Sequence, residues 1–170
     1  ATALDAYAPK GYEVNPEMIS NAYRKWYAEQ GRLGLQDEPL YPGMFKLIND
    51  LKNHKEFNIG VATNKSRIAL NNGLNKHNLN EIFDITLTME EANPKPDPDM
   101  AIQAMSKLNI EKKSTVIVGD TINDIGLGVN AGINSIGVAW GYNSIEMLRN
   151  QGADFIANDS KELFDIIINL

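Results

Sequence analysis

The chain has 170 residues, 43% hydrophobic and 22% charged, with 22 acidic against 16 basic side chains and a net charge of −6, the composition of one globular domain with a sizeable core. Its acidic balance and the lack of a long Lys/Arg run argue against nucleic acid as a partner, while free phosphorylated metabolites stay open. The absence of cysteine excludes a disulfide framework, a thiolate zinc site and a cysteine nucleophile, and the apolar runs at 114–118 and 164–168 are too short to span a bilayer.

No basic-then-apolar signal pattern opens the chain, so the protein reads as cytoplasmic with no membrane partner. Asn15 as a cap, Pro16 at the first helical position and Ile19, Tyr23, Trp26 and Tyr27 on one stripe predict a helix over residues 15–30. Residues 31–42 break it. A second helix is expected over 44–53, where Met44, Leu47, Ile48 and Leu51 share a face. Five short β-branched or apolar runs follow, at 57–62, 83–88, 115–118, 135–139 and 154–157. Helix-length segments ending near Gly73, Leu108, Gly132 and Gly152 separate them. Strands alternating with helices imply a parallel sheet with right-handed crossovers and helices on both faces, a three-layer doubly wound α/β fold. Its strand carboxyl ends gather along one edge, where a ligand binds.

Three segments place chemistry at that edge. The run STVIVGDTIND at 114–124 carries a buried strand into Gly119 and Asp120, with Asp124 four residues on. Two carboxylates so spaced suit Mg²⁺, the competing reading being that Asp120 ends a strand and Asp124 only caps a helix, and an EF-hand is a worse match because Ile122 stands where a carboxylate or amide is required. The strand at 57–62 runs into Thr63, Asn64, Lys65 and Ser66, a hydroxyl and backbone donors at the start of a helix, which can hold a phosphate; the competing role is plain helix capping by Thr63 or Ser66. The segment NPKPDPD at 93–99 pins one lysine, Lys95, between prolines just before a helix over 99–108. A rigid loop presenting an ammonium suits an anionic centre, and as an exposed loop residue Lys95 is expected to contribute little to stability. His54 and His77 have no Ser or Asp at a readable spacing and are taken as surface residues.

In the order Thr, Lys, Asp-x-x-x-Asp, these segments resemble the haloacid dehalogenase superfamily: VATNKS at 61–66 with Thr63, NPKPDP at 93–98 with Lys95, and VGDTINDI at 118–125 with Asp120 and Asp124. The likeness covers residues 40–170. From 130 to 170 the AGI, WGYN and ADFI segments are similar to phosphoglycolate phosphatases. The resemblance implies a Mg²⁺-dependent phosphatase of a small phosphorylated metabolite, acting through an aspartyl-phosphate. Asp120 would ligate the metal, Asp124 would support it or its waters, Thr63 with the Asn64 backbone would hold the phosphoryl group, and Lys95 would neutralise shared charge. The dehalogenases themselves are disfavoured, because they need no metal. A sugar-phosphate mutase is the nearer alternative.

The family's first motif, Asp-x-Asp-Gly-Thr on the first strand, supplies the nucleophile and the general acid/base, and it does not occur in this sequence. Asp5, Asp84 and Asp97 stand in the wrong context to replace it. In relatives that strand is central, so its absence is expected to leave two half-sheets with unpaired inner edges. The expected organisation is a cap remnant and linker over residues 1–40 and an α/β core over 41–170 lacking its first strand. About 50 residues would lie upstream, the size of a βα unit with part of a cap, and the 170 residues alone would be inactive. A second polypeptide completing the sheet is one route to an intact core. A degenerate, non-catalytic binding module that pairs across the open edge is the reading from another class.

Overall fold

A computed structural model describes residues 38–170 together with Met18, Ala22, Lys25 and Trp26. Those four are helical and exposed; the rest of the helix expected over residues 15–30, like most of the expected cap remnant, lies outside the described residues. By its contacts the chain divides into two units, Ala1–Pro39 and Leu40–Leu170, and the second is the α/β body.

The body runs α1 (Met44–Asn53), β1 (Gly60–Thr63), α2 (Arg67–Lys76), β2 (Ile85–Thr88), α3 (Asp99–Leu108), a 3₁₀ turn (Lys112–Ser114), β3 (Val116–Gly119), α4 (Ile122–Ala131), β4 (Asn134–Val138), α5 (Ile145–Gln151), β5 (Phe155–Ala157) and α6 (Ser160–Ile168). All five expected strands are present and every pairing is parallel. Helices α1 and α3 have the expected bounds. Gly132 and Gly152 close α4 and α5 in the left-handed conformation that glycine adopts without strain. The expectation fails at Gly73, which lies inside α2; that helix continues to Lys76, and Asn78 at φ 56° makes the left-handed turn after it. Helix α6, capped by Asp159 accepting from the Lys161 and Glu162 amides, was not foreseen.

The strands form two sheets, β1–β2 and β3–β4–β5. In the first, Gly60 stands opposite Ile85 and Thr63 opposite Thr88; in the second, Val116 pairs with Asn134 and Gly119 with Gly137. Among the described residues neither β1 nor β3 has a ladder partner on its other side, the split expected when a central strand is missing. Burial agrees. Strand β4 has four of five residues buried, whereas every residue of β3 is half-buried; a central strand of a covered parallel sheet would be dry on both faces.

Alternate strand residues face two cores. Ile117 joins Leu87, Met100, Met105, Leu127 and Ile133 beneath α3 and α4. Val116 and Val118 join Leu47, Leu51, Ile136, Ala157 and Leu163 against α1 and α6. The first core draws on strands of both half-sheets, Ala62, Ile85 and Leu87 with Ile117, and Phe57 and Ile59 just before β1 pack into the second, so the cores and their helix layers hold the halves together. The strands being parallel, the ends at Thr63, Thr88, Gly119 and Val138 lie at one edge.

Candidate active site

Strand β1 delivers Thr63 half-buried at its carboxyl end, where Thr63 Oγ1 accepts the Lys65 amide at 3.1 Å. The helix-capping role falls to Ser66, whose hydroxyl accepts from the Ala69 amide and opens α2. Capping is therefore settled without Thr63. Asn64 turns its side chain away from the helix to Lys95: its Oδ1 accepts the Lys95 amide at 2.8 Å and its Nδ2 donates to the Lys95 carbonyl at 3.1 Å.

Lys95 precedes a cis Lys95–Pro96 peptide bond. Its ammonium donates to the Ala62 carbonyl at 2.9 Å and to Asp124 Oδ1 at 2.5 Å, with only 14% of the lysine side chain and 8% of the aspartate exposed. The expectation of an exposed lysine is thus overturned: the loop folds its one cation inward between β1 and α4.

Asp124 has both oxygens engaged. Oδ1 meets Lys95, while Oδ2 accepts from the Thr121 amide at 3.0 Å and the Thr121 hydroxyl at 2.7 Å, completing a capping box that starts α4. This packing explains Gly119: a Cβ there would lie 2.1 to 2.6 Å from the Asp124 carboxyl group and its Cβ. Asp120 is held from the other side. Its Oδ2 accepts the Tyr142 amide at 2.9 Å, its carbonyl accepts the Asn143 amide at 3.0 Å, and Asn143 Oδ1 in turn accepts the Ile122 amide at 2.8 Å. Gly141 is required for that approach, since a Cβ would fall 2.0 Å from Asp120 Cβ. Asp120 Oδ1 is left without a hydrogen bond among the described residues. Tyr41 lies near this carboxylate, and its phenol is raised above the usual tyrosine range by burial and then by the charge of Asp120.

A family model for haloacid dehalogenase-like hydrolases matches residues 3–138. The chain belongs to that family. Among curated proteins of similar sequence, pyrophosphatase PpaX of Bacillus velezensis is 29% identical over 127 residues, covering 74% of this chain and 58% of the relative; the chain thus spans less than two thirds of that protein. Among solved structures the fold is similar to that of a predicted phosphoglycolate phosphatase from Haemophilus somnus 129pt, with TM-score 0.78 and 23% identity over 91% of this chain and 68% of that one. It is also similar to a HAD family hydrolase from Deinococcus radiodurans R1 with bound phosphate and sodium, with TM-score 0.66 and 20% identity over 72% and 56% of the two chains.

In this HAD-like chain the sequence-predicted residues Thr63, Asn64, Lys95, Asp120 and Asp124 all lie at the carboxyl-end edge, and Lys95 bonds directly to Asp124 and, through its backbone, to Asn64. No group of three or more His, Asp or Glu side chains that could hold a metal occurs among the described residues. Mg²⁺ does not need one, because it keeps several waters and is held by one or two carboxylates with substrate phosphates. Asp120, with one oxygen anchored and one open, fits that demand; Asp124 fits as a neighbour already bonded elsewhere.

Sequence reasoning missed the polar frame that ties the start of α2 to β2 and the segment after it. The Arg67 guanidinium forks onto Glu91, Nε to Oε1 at 3.0 Å and Nη2 to Oε2 at 2.8 Å, and also binds Thr86 through its hydroxyl and carbonyl. Glu91 further accepts from the Thr88 amide and hydroxyl at 2.7 and 2.6 Å. These donors, Arg67 first, hold the Glu91 carboxyl down at about 2. The bond joins residues 24 apart in sequence, and no local spacing announces it.

Proposed function

We propose that this protein is a Mg²⁺-dependent hydrolase of a small phosphorylated molecule. The observation that carries this reading is the convergence of Lys95 Nζ on the Ala62 carbonyl and Asp124 Oδ1, at the edge where Thr63 ends β1 and Asp120 follows β3. Thr63 with the Asn64 backbone binds the phosphoryl oxygens. Lys95, desolvated and already oriented, neutralises charge shared by that group and its attacker. Asp120, assisted by Asp124, holds Mg²⁺, which when bound would offset charge on the phosphoryl oxygens. The Deinococcus radiodurans hydrolase, which shares the fold, carries bound phosphate, and this favours a phosphate-bearing ligand for this chain as well.

The attacking carboxylate is not among residues 38–170, where the family's first motif does not occur. We place it on a strand between β1 and β3, whose facing edges are unpaired among the described residues. From there its oxygen attacks phosphorus as the bond to the leaving oxygen breaks, that oxygen takes a proton, and water hydrolyses the acyl phosphate to release phosphate and restore the carboxylate.

A phosphoglycolate-like monoester is the first substrate class, on the likeness of the 130–170 segments. Inorganic pyrophosphate is the second reading, and the name of the Bacillus velezensis relative favours it. The test is hydrolysis of 2-phosphoglycolate, an aryl phosphate and pyrophosphate by the full-length protein, with and without Mg²⁺. Mg²⁺-dependent release of phosphate is expected, and its preference between monoester and pyrophosphate decides the substrate class. Turnover that ignores both Mg²⁺ and the Lys95→Ala change would overturn the assignment; phosphoryl transfer between sugar positions without net release would make it a mutase.

A further inference from the structure

The loop bearing Lys95 is held by side chains that grip its backbone. Asn64 closes a two-bond ring with the Lys95 peptide groups, 2.8 Å at the amide and 3.1 Å at the carbonyl. One residue on, Asn130 of α4 donates to the Pro96 carbonyl at 2.9 Å, and a Cβ on Gly126 would meet Pro96 Cβ at 2.8 Å, so the loop lies against that helix as closely as glycine allows. Asn64 follows the strand-end Thr63 directly. One residue therefore links the position of the strand-end hydroxyl to that of the ammonium.

We propose that Asn64 is a positioning residue, whose carboxamide fixes the Lys95 backbone so that the ammonium rests between the Ala62 carbonyl and Asp124. This goes beyond a backbone contact from Asn64 to the phosphoryl group and rests on the phosphatase reading for its catalytic meaning. The geometry explains the choice of side chain. A carboxamide offers one acceptor and one donor side by side, which is what the N–H and C=O of a single residue require; aspartate lacks the donor, and alanine lacks both. Lysine has four rotatable side-chain bonds and loses much freedom on ordering, so anchoring its backbone narrows where the ammonium can reach.

The test is a double-mutant cycle in the full-length protein with Asn64→Ala and Lys95→Ala, read as kcat and KM separately. Asn64→Ala is expected to lower kcat by about 10- to 100-fold, the usual scale for a group that orients a functional one, with little change in KM, and to have no further effect in the Lys95→Ala background. An equal loss in both backgrounds would overturn the proposal, because Asn64 would then act on substrate or folding independently of Lys95. Asn64→Asp, which keeps the shape and the acceptor, should fall between wild type and alanine and serves if the alanine variant does not fold. A second readout needs no turnover: acetylation of Lys95 by acetic anhydride, followed by mass spectrometry, should be slow in the wild type and several-fold faster in both Asn64 variants. Unchanged labelling would overturn the clamp. If the wild type hydrolyses no phosphate, the functional reading fails while the labelling still decides the role of Asn64.

Discussion

Strands β1 and β3 each leave one edge unpaired among the described residues, yet the half-sheets behind them are held by different means. The three-strand half rests mainly on apolar burial: Ile136, Leu148, Ala157 and Leu163 are almost wholly buried, α4, α5 and α6 pack on its strands, and Ser135 bonded to Asp154 is its buried polar tie. Polar ties pin the two-strand half, with Arg67 forked onto Glu91, Lys52 on Asp84 at 2.7 Å and Asn64 on the Lys95 backbone. The site divides along the same line. Groups suited to the phosphoryl oxygens, Thr63 and Lys95, belong to the polar half, and the carboxylates suited to the metal, Asp120 and Asp124, to the apolar one. Burial fixes a position to the packing of the core, whereas directional bonds fix an orientation. A strand end can rely on the first; a long flexible lysine needs the second.

The widest test of the comparison is to leave the two inner edges open. Expressed as Ala1–Leu170, the protein is expected to show no hydrolysis of an aryl phosphate with Mg²⁺, because the first motif, which supplies the attacking carboxylate in the family it resembles, does not occur in this sequence. Edges beside β1 and β3 should also recruit other strands, visible as aggregation by light scattering. Comparable hydrolysis by the 170-residue chain and a longer gene product would show that the nucleophile lies within these residues.

Asp120→Asn addresses the apolar half alone. Asparagine keeps the Oδ that accepts the Tyr142 amide but cannot offer a charged oxygen to a cation, so Mg²⁺-dependent turnover should be lost while the melting temperature stays within a few degrees. An Mg²⁺ titration of kcat checks this. Retention of wild-type Mg²⁺ dependence would remove Asp120 from the metal role.

Lys95→Ala cuts the bond between the halves. Turnover should drop by at least about 10²-fold, the scale of one preorganised electrostatic group. Stability should fall as well, because an aspartate 8% exposed loses its cation. Removing one member of a buried pair costs about 3–5 kcal/mol, here toward the lower end because Thr121 still binds Asp124. For a chain of this size that is a drop of roughly 6–12 °C in melting temperature. Adding Asp124→Asn should recover part of it, since the stranded charge is then gone; strictly additive losses would show that the pair is not coupled.

Much of this architecture is legible in the amino-acid sequence. All five strands, the exact span of α1, the parallel pairing and the split into two half-sheets follow from hydrophobic runs, glycine caps and the missing first motif. Gly73 misled because glycine at a helix end and glycine inside a helix look alike in sequence, and the true turn used Asn78 in a left-handed conformation. The positions of Thr63, Lys95, Asp120 and Asp124 are legible because each stands at or after the carboxyl end of a strand, Asp120 and Asp124 sharing β3. Their mutual bonds are not, because the Lys95 to Asp124 contact joins residues 29 apart through the way a loop folds back. Nor is the burial of Lys95, which flanking prolines hide by resembling an exposed turn.

The smallest expected effect sharpens the polar half. Glu91 is held at about 2, below the ordinary 4.5, chiefly by the Arg67 guanidinium and then by Thr88. A depressed folded-state value means that the charged form stabilises the fold. Its contribution is complete above the unfolded value near 4.5 and disappears as pH falls from there toward 2. The carboxylate is 36% exposed, so solvent screening limits the ion pair to about 1 kcal/mol or less. Asp84, lowered by Lys52 and then by the Ile59 amide, loses its contribution in the same direction and forms a common background. Melting temperatures of the wild type and Glu91→Gln, measured from pH 6 to pH 2, should therefore differ by a few degrees at pH 6 and converge at the acid end. A constant gap across that range would show that Glu91 stabilises the loop by shape rather than by charge.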